Sequence, residues 1–144
     1  MTTTFKFAGI VGTGAMGRGI AQMAAQAGSR VCLFDNQPQA SAKAIASIFA
    51  QWDRLCEKGR LSAEQSADLK SRMSCAETID DLATCDLVVE AIVERLDAKA
   101  DLFVALERVV GPDTVLATNT SSLSVTAIAA RLQRPARFAG MHFF

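Results

Sequence analysis

The residues best placed to do chemistry lie near the start of the chain, in Gly12-Thr13-Gly14-Ala15-Met16-Gly17, with an acidic partner farther on at Asp35. The first group is a Gly-x-Gly-x-x-Gly pattern. It directly follows the apolar run Phe7-Ala8-Gly9-Ile10-Val11 and directly precedes a small-residue, helix-favouring stretch. Three spaced glycines mean little alone; a strand before them and a helix after them give the pattern its sense. Gly12 would make the tight turn, Gly14 would let the backbone approach a pyrophosphate, and Gly17 would let helix and strand pack closely. The diphosphate would rest against the free N–H groups and positive end of the helix, beside Thr13, Ala15 and Met16. Asp35 stands 23 residues past Gly12, at the end of the next apolar run, Arg30-Val31-Cys32-Leu33-Phe34. A carboxylate there can accept both adenosine ribose hydroxyls and would repel a 2′-phosphate. Asn36, Gln37 and Pro38 follow it, with no Arg or Lys to favour such a phosphate. The expected cofactor is NAD rather than NADP.

The only histidine, His142, follows Gly140-Met141. A lone histidine is more often a core or surface residue than a reactive one. Its position near the carboxyl end of a strand, where ligands of open α/β sheets bind, turns the reading toward function. Four cysteines, Cys32, Cys56, Cys75 and Cys85, are scattered without a Cys-x-x-Cys pair, so no zinc or other metal site is expected. They read as reduced, mostly buried thiols of a cytoplasmic protein. Lys+Arg and Asp+Glu balance at 15 each, which leaves no basic excess for nucleic acid. The opening residues carry no signal-peptide pattern, and no apolar stretch approaches the roughly 18 residues that span a bilayer, so no membrane partner is expected.

The elements that must position these residues alternate. After the strand over 7–11, a helix over Gly17 to Ala27 closes at Gly28, and the strand over 30–34 completes a βαβ unit with a right-handed crossover. From Pro38 to Lys58, the residues Ile45, Ile48, Phe49, Trp52, Leu55 and Cys56 form one stripe of a long amphipathic helix, which Gly59 ends. Ser62-Ala63-Glu64-Gln65 is a capping box for a second helix running to about Met73. A helical hairpin, about 38–73, is thus inserted after the second strand. Strand Asp86–Glu90, helix Lys99–Val109, strand Val115–Thr118, helix Val125–Leu132 and a strand starting at Arg137 follow. The expectation is one α/β domain over 1–144, a Rossmann-like, doubly wound, mostly parallel sheet with the hairpin inserted.

Four stretches in this order resemble the signature of 3-hydroxyacyl-CoA dehydrogenases: Gly14-Ala15-Met16-Gly17-Arg18-Gly19-Ile20-Ala21, Val89-Glu90-Ala91-Ile92-Val93-Glu94, Asn119-Thr120-Ser121-Ser122-Leu123, and Gly140-Met141-His142-Phe143-Phe144. The helical insertion also matches, and the resemblance covers essentially the whole chain. Within the family it looks closest to bacterial 3-hydroxybutyryl-CoA and 3-hydroxyadipyl-CoA dehydrogenases. The resemblance implies that His142 is the catalytic base, taking the hydroxyl proton while hydride leaves carbon 3; imidazole, with an unperturbed pKa of roughly 6.5, suits that task. It implies that Ser121 hydrogen-bonds the substrate's 3-oxygen near the nicotinamide and that Asn119 orients the cofactor. It sets Ala91, Ile92, Glu94 and Lys99 on the cofactor side, the last two near the nicotinamide ribose and substrate channel. It makes Lys58 a contact to the CoA phosphates. Read without the family, Asn119–Ser122 is a polar turn and helix cap, and Lys58 and Lys99 are solvated lysines.

In that family an Asn-Pro pair, a strand with the glutamate that pairs with the histidine, and a helical second domain follow the last motif. The second domain closes the substrate cleft and carries most of a homodimer interface. The expectation is therefore an excised front half with weak or absent turnover and a bare sheet edge prone to self-association. Two functions follow. One is NAD-dependent oxidation of 3-hydroxyacyl-CoA to 3-oxoacyl-CoA by the parent protein. The other is a non-catalytic NAD-binding module. A β-hydroxyacid dehydrogenase of the 6-phosphogluconate kind shares the nucleotide fold but uses a lysine base, and His142 argues against it.

Overall fold

Residues 5–143 are described by the structure, a computed structural model; Met1–Thr4 and Phe144, the last residue of the final motif, lie outside them. The chain alternates strands and helices: β1 (Phe7–Val11), α1 (Ala15–Gln26), β2 (Arg30–Phe34), α2 (Ala40–Glu57), α3 (Ala63–Ser71), β3 (Met73–Cys75), β4 (Leu87–Glu90), α4 (Leu96–Val109), β5 (Val115–Thr118), α5 (Val125–Ala129) and β6 (Phe138–Gly140). Among the described residues the strands form one six-stranded sheet in the order β3-β2-β1-β4-β5-β6. Every described pairing is parallel, where the sequence suggested a mostly parallel sheet. Helical crossovers cover both faces of such a sheet, which is why β1 and Leu87–Val89 of β4 are continuous apolar runs rather than alternating ones.

Each face has its own core. On one, α1 lays Ile20, Ala21 and Ala25 against Ile10, Leu33 and Val89, and α2 adds Ala44, Ile48 and Trp52. Those three α2 residues recur every four positions, the repeat that keeps one helical stripe on the sheet. Trp52 is fully buried and stacks on Phe49 with centroids 6.0 Å apart. On the other face, Phe103 and Leu106 of α4 and Ile128 of α5 pack over Val11, Val88 and Leu116.

Some element bounds shift by one to three residues: α4 begins at Leu96 rather than Lys99, α5 ends at Ala129 rather than Leu132, and β6 begins at Phe138 rather than Arg137. Three further corrections have a local cause. First, α1 starts at Ala15, not Gly17, because Gly14 is its N-cap and the last glycine already lies inside the first turn. Second, α3 stops at Ser71, and Met73–Cys75 leaves the helix to become edge strand β3. The capping box appears as expected, with Gln65 N donating to Ser62 Oγ at 3.0 Å and Ser62 N to Gln65 Oε1 at 2.9 Å. The helix end is fixed by Arg72, whose guanidinium reaches the Ala25 carbonyl at 2.7 Å, while its own carbonyl accepts from Val31 N at 2.8 Å. A three-residue strand with no apolar pattern leaves no trace in the sequence; its partner β2 imposes it. Third, Asp86 lies outside β4. Its carboxylate accepts from Lys6 N and Phe7 N at 2.9 and 3.0 Å, pinning the start of β1.

Candidate cofactor and active site

Topology creates the site. The crossovers reverse direction between β1 and β4, and at such a switch point the carboxyl ends of adjacent strands open a crevice. A cavity of about 690 Å³ occupies it, lined by Gly12, Gly14, Asp35 and Ile92 among others. That is the size range of small-molecule pockets. Gly12 has φ +104°, and a Cβ there would come within 2.5 Å of the Ala91 carbonyl oxygen. A Cβ on Gly17 would stand 1.9 Å from the Gly12 carbonyl oxygen, so no other residue fits beneath the turn. A Cβ on Gly14 would meet no atom within 4 Å. Its freedom is thus unused by the protein itself and leaves room for a ligand to approach the backbone.

The positive end of α1 faces this opening. It has no side-chain cap and no acidic residue in its first turn, so its N–H groups stay available to an anion. Asp35 sits just beyond β2 and anchors the glycine turn. Its Oδ2 accepts from Thr13 Oγ1 at 2.8 Å and Thr13 N at 3.1 Å, and its Oδ1 accepts from Gln37 N at 2.9 Å. Among the described residues no Lys or Arg lines the cavity. The residues present therefore fit a dinucleotide with an unphosphorylated adenosine ribose.

A second cavity of about 290 Å³ shares Ala91 and Ile92 with the first and brings together Met16, Glu94, Lys99, Asn119, Ser121 and His142. Four separate segments meet here. His142 is exposed, and its backbone is held on both sides: Met141 N donates to the Thr118 carbonyl at 2.8 Å, and Phe143 N to Asn119 Oδ1 at 3.1 Å. Asn119 thus fixes the histidine segment, a task the sequence did not indicate. Ser121 is exposed on the loop after β5.

Lys99 is not the solvated lysine of its residue-only reading. It is 2% exposed, and its ammonium bonds Glu90 Oε2 and lies 3.0 Å from Glu94 Oε1. Glu90, fully buried, also accepts from Thr118 Oγ1 at 2.5 Å and Ile92 N at 2.7 Å. Sequence reasoning passed over Glu90 and Thr118. The available signal was a carboxylate closing an apolar parallel strand, since a buried charge requires a partner. Partial burial pushes the Glu94 carboxyl up, but hydrogen bonds from Lys99, Thr120 and Ser122 and the charge of Lys99 outweigh that and hold it below the usual carboxylate value.

Two expected residues stand apart. Ala15 lines a separate groove between α1 and α2, and the exposed Lys58, the C-cap of α2, lines neither cavity. Among the described residues there is no group of side chains able to hold a metal ion and no helix long and apolar enough to cross a membrane.

Comparison with known proteins agrees with this geometry. The sequence profile for the NAD binding domain of 3-hydroxyacyl-CoA dehydrogenase matches residues 7–144. The chain is 44% identical over 135 residues to the 3-hydroxyadipyl-CoA dehydrogenase of Escherichia coli (strain K12), covering 94% of this chain and 28% of that protein. It is 41% identical over 134 residues to a probable 3-hydroxybutyryl-CoA dehydrogenase of Bacillus subtilis (strain 168), covering 93% of this chain and 47% of the relative. Among solved structures, the 3-hydroxybutyryl-CoA dehydrogenase from Escherichia coli K12 superposes with a TM-score of 0.94 at 42% identity, over 98% of this chain and 30% of that one. The (S)-3-hydroxybutyryl-CoA dehydrogenase from Ralstonia eutropha gives 0.92 at 38% identity, over 98% and 50%. The chain therefore spans half or less of the length of these relatives, and it belongs to the 3-hydroxyacyl-CoA dehydrogenase family as an NAD-binding domain.

Proposed function

We propose that this chain supplies the NAD site and the catalytic histidine of an enzyme that oxidises (S)-3-hydroxyacyl-CoA to 3-oxoacyl-CoA. The observation that carries the reading is the junction of the two cavities. Gly12, Gly14 and Asp35 line one, His142, Ser121 and Asn119 line the other, and the wall of Ala91 and Ile92 is common to both. The adenosine half of NAD is assigned to the first cavity, with its ribose on Asp35 and its diphosphate at the start of α1. The nicotinamide half is assigned to the second, with Glu94 and Lys99 on its ribose side. When bound there, NAD supplies the hydride acceptor. His142 accepts the proton of the substrate's 3-hydroxyl, and Ser121 donates a hydrogen bond to the same oxygen, so charge developing on it is met as it forms. Both residues are exposed and line the second cavity, where a thioester substrate can reach them.

Calorimetric titration of the purified chain with NADH and NADPH, beside Asp35→Ala, tests the cofactor site. Saturable NADH binding is expected, with no NADPH binding and at least about a tenfold loss in the variant, the scale of one or two hydrogen bonds to a charged group. Equal binding of both cofactors would contradict the role given to Asp35. Acetoacetyl-CoA-dependent loss of NADH absorbance, abolished by His142→Ala, tests the chemistry. Tight NADH binding with no turnover, in this chain and in a longer protein containing it, would reduce the domain to a binding module.

A further inference from the structure

Glu90 and Lys99 form a buried charge pair that neither the glycine turn nor the proton transfer uses. Glu90 lies at the carboxyl end of β4, where its carboxylate bonds the end of β5, the turn after β4 and the start of α4. One oxygen accepts from Thr118 Oγ1 at 2.5 Å, at the end of β5. The other accepts from Ile92 N at 2.7 Å and from the Lys99 ammonium, on the first turn of α4. Two chains of contact lead outward from it. Through Thr118 Oγ1, which accepts from Thr120 N at 3.3 Å, and Thr120 Oγ1, which accepts from Leu123 N at 3.0 Å, it reaches the loop bearing Asn119 and Ser121. Through Lys99, 3.0 Å from Glu94, and Glu94, which accepts from Ser122 Oγ at 3.2 Å, it reaches the same loop from the other side. The loop is thus clamped from both ends of a network centred on one carboxylate with 0% exposure.

We propose that Glu90 is a positioning residue that sets the nicotinamide half of the site, holding Glu94 and the Asn119–Leu123 loop in register through Lys99 and Thr118, while the adenosine half is fixed independently. This rests on the assignment of the second cavity to the nicotinamide half. The independence has its own basis: the Asp35 carboxylate, assigned to the adenosine ribose, is held by Thr13 and Gln37 and shares no hydrogen-bond partner with Glu90, whose bond to Ile92 N falls on the wall common to both cavities.

The test compares NADH with ADP, which offers only the adenosine and diphosphate groups. Calorimetry on the full 144-residue chain measures both ligands with the unmodified protein, Glu90→Gln and Thr118→Val. The unmodified chain is expected to bind NADH more tightly than ADP. Glu90→Gln should lose about tenfold in NADH affinity, the scale of one charge-assisted hydrogen bond, with ADP affinity held within about twofold. Thr118→Val keeps the charge pair and should lose about threefold for NADH alone. Should Glu90→Gln not fold, Thr118→Val decides by the same comparison. Equal losses for both ligands, or no loss for either, would overturn the inference while leaving the site assignment standing. An unmodified chain that binds NADH no more tightly than ADP would overturn the site assignment, and the inference with it.

Discussion

At Glu94 two opposing influences meet. Burial of part of the carboxylate favours its neutral form, and the ammonium of Lys99 with two hydroxyls favours the charged one; the second group wins, so the folded value lies below the ordinary one. Proton binding then favours the unfolded chain. The stabilisation is full above the unfolded value of about 4.3 and is lost as the pH falls through the lower folded value. Glu94→Gln should accordingly be less stable than the unmodified chain at pH 6, and the two should converge under acid conditions. Urea midpoints at a series of pH values between 6 and 3 measure this, and a gap that widens on acidification would contradict it. The residues that the sequence pointed to differ in kind from those it passed over. Asp35 and His142 announce themselves because each stands near the carboxyl end of a strand, beside a recognisable motif. Lys99 came by resemblance alone, and its burial could not be read, because only the fold brings Glu90, Thr118 and Glu94 around it. Asn119 was visible as a polar turn residue, but its hold on Phe143 spans 24 positions and leaves no local pattern.

At the scale of the element, the glycine turn and the helical hairpin contrast in how tightly sequence determines structure. Gly17 is enclosed by the Gly12 carbonyl, with 1.9 Å to any added Cβ, and the obstacle is backbone that cannot rotate away. Gly17→Ala should therefore separate α1 from the turn, lowering stability by about 2–4 kcal/mol, in the upper range for single substitutions, and weakening NADH by more than tenfold. An alanine variant with unchanged melting and binding would show that the turn can open. In the hairpin, Ser62 caps α3 reciprocally with Gln65, and Ser62→Ala should cost about 1 kcal/mol with NADH affinity unchanged, since neither residue lines the site cavities. These signals are local, and both were legible in advance. The boundary between α3 and β3 was not, because β3 exists only by pairing with β2, and Met73-Ser74-Cys75 has no strand pattern of its own.

At the scale of the molecule, the question is whether the inserted hairpin is a separate layer or part of one cooperative unit. Its periodicity foretold that α2 would bury a stripe, but not what the stripe would meet. In the fold Trp52, Ile48 and Ala44 share a core with Ile10 of β1, Leu33 of β2 and Val89 of β4, the strands that carry the site at their carboxyl ends. Cys85 reports on the opposite face, buried with Val88, Phe103 and Leu106. Burial pushes its thiol up to about 12, with the nearby Cys32 and Asp86 adding to the effect, so alkylation near pH 8 requires that face to open. Because β1 and β4 contribute side chains to both cores, the two reporters should move together. Urea unfolding followed by Trp52 fluorescence and by mass-spectrometric labelling of Cys85 should give coincident transitions. Saturating NADH should shift both equally, by about 2.7 kcal/mol at a hundredfold excess over its Kd. A Trp52 transition preceding Cys85 labelling would mean that α2 and α3 detach while the rest of the sheet survives. In that case the hairpin would be a dispensable layer rather than a support for the strands that end in the site.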